Sequence, residues 1–277
     1  IGTWSMYTNT TGATNTAIGQ FTLNKNTIGT ANVAVGYYAL QANTTGYSNV
    51  AIGQQALYAN TTGVENIAIG QGAMISNTIG NFNVAVGKDA LYSNTTNYNT
   101  AVGAGALNKN TIGVNNVAVG SYALYFNTTG VNNVAIGVNA LNAATVATEN
   151  VAIGTGALGS TTTGMYNVAI GGANALGLNT TGQDNIAIGR DVLSNNTYGN
   201  YNVAIGRGSQ YICTTPSNNI GIGFETLRQT TTGGQNVAVG VSALYNVTGA
   251  GANNTAIGHN AGNNITTCLL YTSDAAD

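Results

Sequence analysis

The side chains that could carry catalytic chemistry are few and lie far apart in this sequence. The single histidine, His259, directly follows the glycine of a repeated motif, and no Asp or Glu clusters around it in sequence. General-base catalysis needs a group that orients the base and a nucleophile within hydrogen-bond reach. We therefore interpret His259 as a solvated surface residue, and we predict no catalytic residue, no cofactor and no enzymatic activity.

The carboxylates do not have the spacing of a metal site. Before residue 268 they occur mostly one per repeat, at Glu65, Asp89, Glu149, Asp184, Asp191 and Glu225. Calcium-binding rolls repeat a Gly-Gly-x-Gly-x-Asp motif that this chain lacks. Gly-rich stretches such as 70–72 are not followed by the Lys-Ser/Thr of a phosphate loop. The sequence therefore predicts no metal site.

Tyrosines are the better candidates for contact with a ligand. In six copies of the repeat a Tyr occupies the position that follows the consensus Leu, at Tyr7, Tyr58, Tyr92, Tyr125, Tyr211 and Tyr245. Aromatic side chains on rigid elements are effective binding anchors. We select Tyr58, Tyr92, Tyr125 and Tyr245 as candidate ligand contacts. The simpler alternative, in which these rings shield a strand edge or line a subunit contact, stays open.

The element that must position these side chains is a repeat of about 17 residues. Its motif, Asn-(Val/Ile/Thr)-Ala-(Ile/Val)-Gly, is followed by an Ala-Leu pair and by Asn-Thr-Thr-Gly, as in 49–65. Self-similarity at a fixed period is typical of stacked-repeat proteins. We predict an all-β fold, one continuous parallel β-solenoid (β-roll) of about fifteen 17-residue coils, roughly 70 Å long at one strand spacing per coil.

The alternation of side chains predicts which face of each strand is core. Val50 and Ile52 point to one side of the strand and Ala51 to the other. We expect Val50, Ile52 and Leu57 to point inward and the Ala-Leu pair to form a second short strand. The small outward residues Ala17, Ala34 and Ala51 are then the candidate subunit interface. An alternative places these alanines in water, in a thin monomeric roll.

Two residues of the motif have structural interpretations. The motif Asn, for example Asn49, Asn66 and Asn133, is predicted to form a hydrogen-bonded amide ladder along the stack. The motif Gly, for example Gly53, Gly70 and Gly137, is predicted at a coil corner with positive φ or no room for a Cβ. The shorter step from Gly87 to Gly103 and the extra residue near 171–172 should change turns and leave strand register intact.

Composition excludes several classes of partner. Charged residues are 5% of the chain and the net charge is −2, so no phosphate-binding stripe is expected and nucleic acid is not a partner. No apolar run reaches the roughly 18 residues of a membrane span, so we predict no membrane insertion. We expect 1–267 to be a single β-roll, truncated at both ends. Residues 268–277 break the repeat and are similar to a translated sequencing adapter, so we expect a non-native tail.

The strings Asn-Val-Ala-Ile-Gly at 49–53, 133–137, 150–154, 167–171 and 202–206 resemble the head repeats of trimeric autotransporter adhesins, a style of repeat also found in tail-fibre-like proteins. The resemblance covers 1–267. It implies a left-handed parallel β-roll, three chains in one head, and adhesion at a cell surface. The chain departs from that family in its 17-residue period and in its Ala-Leu and Asn-Thr-Thr-Gly segments.

The expected function is therefore an extracellular adhesin or fibre module, on a cell surface or a virion fibre. It would be a homotrimer that binds cell-surface glycan or protein multivalently. One alternative is a purely structural spacer or shaft. A third is ice binding by the Thr columns, which the alternation of adjacent Thr in Asn-Thr-Thr-Gly disfavours because successive strand residues face opposite sides.

Overall fold

The computed structural model describes residues 2–172, 174–247 and 251–265 as a series of coils, each with one three-residue strand. The described residues contain no helix. The strands are β1 (Thr16–Ile18), β2 (Val33–Val35), β3 (Val50–Ile52), β4 (Ile67–Ile69), β5 (Val84–Val86), β6 (Thr100–Val102), β7 (Val117–Val119), β8 (Val134–Ile136), β9 (Val151–Ile153), β10 (Val168–Ile170), β11 (Ile186–Ile188), β12 (Val203–Ile205), β13 (Ile220–Ile222), β14 (Val237–Val239) and β15 (Thr255–Ile257).

The chain divides into two compact units, Ile1–Val138 and Asn139–Asp277. In the first unit β1 to β8 pair in chain order, each strand parallel to the next, with alanine opposite alanine as in Ala51↔Ala68. In the second unit β9 to β15 pair in the same way. Each unit is thus a parallel β-solenoid with one repeat per coil, as the periodicity predicted. The tail at 268–277 lies outside the described residues.

Changes in repeat length do not disturb the strand register. Across the shortened repeat, Val84 pairs with Thr100, and across the repeat with the extra residue, Val168 pairs with Ile186. In the shortened turn, Thr96 O takes the place of the glycine carbonyl and accepts from Asn94 Nδ2 at 2.9 Å. The turns therefore absorb the insertion and the deletion, as expected.

The assignment of the two strand faces was wrong. The central alanine of the strand is buried, as at Ala17, Ala34 and Ala51, whereas Val50 is half-buried and Ile52 is 38% exposed. The alanines therefore do not form an outward interface. The interior of a 17-residue coil is narrow and already holds Leu57, Ala56 and asparagine side chains, all buried. It leaves room beside the strand for a methyl group and not for a larger aliphatic side chain.

The thirteenth strand shows how tight this interior is. Here the central residue is Gly221, and an added Cβ would lie 2.7 Å from Ser209 Oγ and 2.9 Å from Thr226 Oγ1. These two hydroxyls replace the alanines of other coils and lie 2.7 Å apart. At this strand the core residues of two successive coils both carry a hydroxyl and the strand residue has no methyl, so the added and lost volume offset each other.

The predicted second strand is absent, because the Ala-Leu segment forms turns. Leu57 is buried as predicted, but its φ is +52°, and Gln55 two residues earlier has a φ of +58°. Turn hydrogen bonds join Ala56 N to Gly53 O and Asn60 N to Leu57 O, each at 3.3 Å. β-branched side chains are poorly tolerated at positive φ, and the sequence places Leu or Met at this point of most repeats, Gln210 and Gly262 in two others, and never Val or Ile.

Candidate functional site

The motif asparagines form a buried hydrogen-bonded ladder in each unit. Asn49 Oδ1 accepts from both the backbone N and the Nδ2 of Asn66, at 3.0 and 3.1 Å. Asn66 Nδ2 also donates to Gly80 O at 2.8 Å. At the end of the first unit, Asn133 donates to Asn116 Oδ1 in the same way. This ladder has a structural role, because its asparagines from Asn32 to Asn254 are fully buried.

A second asparagine ladder runs through the Asn-Thr-Thr-Gly turns. Asn60 is fully buried, and its Nδ2 donates to Asn43 Oδ1 at 2.9 Å and to Gly63 O at 3.0 Å. The sequence analysis did not predict this second ladder, although the recurrence of these asparagines at the period of the repeat was the available signal. Because Asn43, Asn60 and Asn127 are buried and bonded, their Asn-x-Thr strings are not accessible for glycosylation.

The motif glycines stack directly on one another. Gly53 has a φ of +131°, and an added Cβ would lie 2.7 Å from Gly70 C. The same crowding occurs at Gly70, below Gly87, and at Gly120, below Gly137. The motif Gly therefore has both of the properties that the sequence suggested.

The exposed face of each strand carries the apolar residues that were expected in the core. We call the first and third residues of the strands the apolar strand face. Every one of these residues is Val, Ile or Thr, and Ile52 and Ile69 are 38% and 37% exposed. Contiguous apolar patches of more than a few hundred Å² are uncommon on monomers and mark interaction surfaces. This face continues through every coil of each unit.

Aromatic side chains form a second exposed surface at the coil corners. We call the residue two after the motif Gly the second corner position, and the residue after Leu the Tyr column. Rings from these two positions meet: Trp4 with Tyr7 at 4.6 Å, Tyr38 with Tyr58 at 6.0 Å, and Tyr122 with Tyr125 at 5.5 Å between centroids. Corner and column therefore belong to one surface.

Contacts between coils add to the aromatic surface. Phe21 stacks on Tyr38 of the next coil at 4.9 Å. A hydrogen bond with Tyr37 raises the pKa of the Tyr38 phenol above its ordinary value. Of the candidate contacts, Tyr58 meets Tyr38, and Tyr245 Oη lies 3.4 Å from the Nη1 of Arg228. Tyr92 and Tyr125 line hollows near Asn108.

Glycine at the second corner position leaves gaps in the corner surface. Four coils have Gly there, and Gly72, Gly105, Gly156 and Gly208 have φ between +66° and +68°. The neighbouring coils carry larger residues at the same position, so each missing side chain leaves a gap between two flanking side chains. Hollows lie beside Gly105 and Gly208.

The hollow at Gly208 is charged, and its carboxylates are already paired. It has a volume of about 150 Å³ and includes Asp191, Glu225 and Arg228 in its lining. Arg190 Nε lies 3.3 Å from Asp191 Oδ2, and Arg228 Nη1 lies 3.4 Å from Glu225 Oε1. The Arg228 guanidinium also lies over the Tyr211 ring, 5.1 Å from its centroid. Internal ion pairs and stacking thus occupy the polar groups here.

Two adjoining hollows surround Gly105 and Asn108 in the first unit. One, of about 170 Å³, is lined by residues that include Asp89, Gly105, Asn108, Tyr122 and Tyr125. The other, of about 280 Å³, is lined by Asp89, Tyr92, Asn108 and Lys109. Asp89 and Asn108 are common to both. The structure thus brings together residues of three successive coils that are 16 or 17 positions apart in the sequence.

The remaining reactive groups do not form a recognisable centre. His259 is exposed, with its Nδ1 3.2 Å from the Nδ2 of Asn260. Complete burial raises the pKa of the Cys213 thiol far above its ordinary value; Cys268 lies outside the described residues. Within 2–172, 174–247 and 251–265, no three His, Cys, Asp or Glu residues are grouped to hold a metal ion. That part of the chain also has no helix long and apolar enough to cross a membrane.

The fold and these surfaces define the protein as a β-solenoid repeat protein. Comparison with known protein families and with curated proteins found no match.

Proposed function

We propose that this chain is an extracellular adhesin or fibre module, displayed on a cell surface or a virion fibre. Three copies would associate through the apolar strand face, and the aromatic corner surface would bind cell-surface glycan or protein. The observation that carries this proposal is the contact between the Tyr column and the second corner position at Trp4–Tyr7, Tyr38–Tyr58 and Tyr122–Tyr125. A rigid stack that repeats such contacts offers many similar weak sites, which together bind by avidity.

The proposed self-association rests on the period of the apolar strand face. Val or Ile recurs there at every coil, and adjacent coils lie one strand spacing apart, about 4.8 Å. A partner that covers the whole face needs apolar side chains at the same spacing. A second copy of this chain meets that requirement, and the resemblance to trimeric adhesin heads implies three copies.

The adhesin proposal is tested with the 277-residue chain as an oligomer, on immobilised cells and on a glycan array. We expect retention that falls sharply when the oligomer is dissociated, because avidity requires several linked sites. Retention by no cell type and no glycan would favour the alternative of a structural spacer, which needs the solenoid and not the aromatic surface.

Ice binding is the less favoured alternative, because the hydroxyl of the first Thr in the Asn-Thr-Thr-Gly turns has an internal partner. Thr44 Oγ1 donates to Thr61 O and Thr61 Oγ1 donates to Thr78 O, each at 3.0 Å. Both side chains are half-buried, so they do not present a free rank of hydroxyls to water. We expect no thermal hysteresis from the purified chain. A hysteresis that is lost when the threonines of the Asn-Thr-Thr-Gly turns are replaced by bulky residues would favour ice binding over adhesion.

A further inference from the structure

The two hollows around Gly105 and Asn108 differ from the rest of the corner surface because they contain an unpaired carboxylate. In the part of the chain that the structure describes, the Asp89 carboxylate forms no ion pair and accepts no hydrogen bond. Its backbone oxygen accepts from Asn108 Nδ2 at 2.9 Å, which holds the Asn108 amide in place. The Asn108 Oδ1 remains able to accept a further hydrogen bond.

Aromatic rings stand at both ends of this groove. Tyr92 borders the hollow on one side of Asn108, and Tyr122 and Tyr125 border the other. The two rings of the pair meet edge to face, 5.5 Å apart. The Lys109 ammonium lies 5.9 Å from the centroid of the Tyr125 ring, which orients that ring further.

We propose that this groove is a binding site for neutral hexopyranose units of a glycan. The inference rests on the proposed adhesin function and names the ligand class for one site of that surface. One apolar face of the sugar ring packs on Tyr122 and Tyr125. Two neighbouring hydroxyls donate to the Asp89 carboxylate, and a third donates to Asn108 Oδ1. A second sugar unit occupies the hollow beside Tyr92.

The chemistry of the groove favours a neutral sugar over the other ligands of a cell surface. Hydrogen bonds to an ionised acceptor are about twice as strong as neutral ones, so an unpaired carboxylate selects a ligand rich in hydroxyl donors. Lys88 and Lys109 also line the two hollows, so the preference for a neutral sugar rests on the aromatic rings and on the Asp89 and Asn108 acceptors. The two hollows together also reach the lower end of the size range of small-ligand sites, roughly 300–1,000 Å³.

Other coils supply both the test substitutions and their control. Asn occupies the second corner position at Asn139 and Asn260, with φ of +57° and +55°, so Gly105→Asn suits the backbone. Its Cβ would lie 3.0 Å from Tyr122 Cδ1 and would fill the hollow. Gly156→Asn is the matched control, because a Cβ there meets only Asn174 Oδ1, at 3.9 Å, and no aromatic ring.

The experiment is a titration of the 277-residue chain, with saturation-transfer NMR as the readout. The ligands are the methyl glycosides of glucose, galactose, mannose and N-acetylglucosamine, and glucuronic acid. For a single site we expect a dissociation constant of about 1–10 mM for at least one neutral glycoside. Gly105→Asn, Asp89→Asn and Tyr125→Asn should each weaken that binding about tenfold or more. Gly156→Asn should bind as the wild type does.

Three results would overturn the inference: no signal from any neutral glycoside, binding of glucuronic acid alone, or equal binding by the wild type and Gly105→Asn. Cell and array retention separates this inference from the adhesin proposal. If the wild-type oligomer and Gly105→Asn are retained equally and also bind the glycosides equally in the titration, the adhesin proposal stands and the hexose site fails. If neither is retained but the titration behaves as expected, the hexose site stands and the adhesin proposal fails.

Discussion

At the scale of single residues, the stack depends on buried asparagine side chains that hydrogen-bond each coil to its neighbours. Asn66 connects its own coil to the one before it through Asn49 Oδ1 and to the turn of the next through Gly80 O. Its Oδ1 accepts from the backbone N and Nδ2 of Asn83. Buried polar groups that lose such partners are costly, so each asparagine protects polar groups in neighbouring coils as well as its own.

Replacing Asn66 with Ala should therefore destabilise a local stretch of the solenoid. The change leaves the Asn83 N–H without its partner, whereas Gly80 O keeps its hydrogen bond from Asn77 Nδ2 at 3.0 Å. One unsatisfied buried group costs about 1–3 kcal/mol, so we expect a loss of that size, seen as faster amide hydrogen exchange in β4 and β5. The control is Gln54→Ala, on the exposed surface and at a position without positive φ. Equal exchange in the two variants would contradict the role of the ladder.

The buried leucine tests the positive φ of the turn. Leu57→Ile keeps the composition of the side chain but puts a β-branched residue at a φ of +52°. We expect a loss of about 2 kcal/mol from backbone strain and altered packing, measured as a lower midpoint of urea unfolding.

Leu57→Met is the matched comparison, because Met74 occupies the equivalent position with a φ of +50°. It should change stability by less than about 1.5 kcal/mol. An isoleucine variant as stable as the methionine variant would show that the positive φ does not determine the residue type here.

At the scale of the element, each coil consists of a short strand and a long succession of turns. The three-residue strands supply the parallel pairing, while the turns contain positive-φ residues such as Gln55, Leu57 and Glu65. The corner between them is the motif Gly, where the backbones of successive coils meet so closely that a Cβ has no room. The path of the coil therefore depends on that glycine as much as on the strand.

Gly53→Ala should disrupt the stacking of coils at one point. The new Cβ would lie 2.7 Å from both Gly70 C and O, at a φ of +131°, so backbone atoms must move. We expect destabilisation of about 3 kcal/mol or more, measured by thermal unfolding. Gly172→Ala is the control, because a Cβ there meets nothing within 4 Å, and it should be close to neutral. Similar melting of both variants would contradict the explanation by crowding.

At the scale of the whole molecule, the residue types separate an apolar surface from a charged and aromatic one. The apolar strand face carries no charge in any described strand. Charged residues such as Lys88, Asp89 and Arg207 lie at the corners. This separation is what a self-associating fibre module needs, because one surface must be buried between copies while another stays free for ligands.

The double variant Ile52→Lys with Ile69→Lys should dissociate the proposed oligomer and leave each chain folded. The two side chains are exposed on adjacent strands, and a lysine pair on a face shared between copies brings like charges into an apolar contact. We expect the mass measured by light scattering to fall from trimer to monomer, with an unchanged circular dichroism spectrum.

Gln54→Lys with Gln71→Lys adds the same charge at exposed corner positions in the same two coils. This control should retain the trimer mass. A wild-type chain that is already monomeric, or a strand-face variant that stays trimeric, would contradict assembly through the apolar strand face.

The sequence by itself determined the period, the parallel stacking and the one-repeat coil, because recurrence of Asn, Gly and alternating residues every 17 positions allows few other folds. Alternation also defined two faces of the strand, but it could not say which was inside. The turn path decided that, since the coil closes around Leu57 and Asn49 and leaves space only for the methyl of Ala51. The groove at Asp89, Asn108 and Tyr125 likewise exists only in the folded stack, because its residues become neighbours when one coil lies on the next.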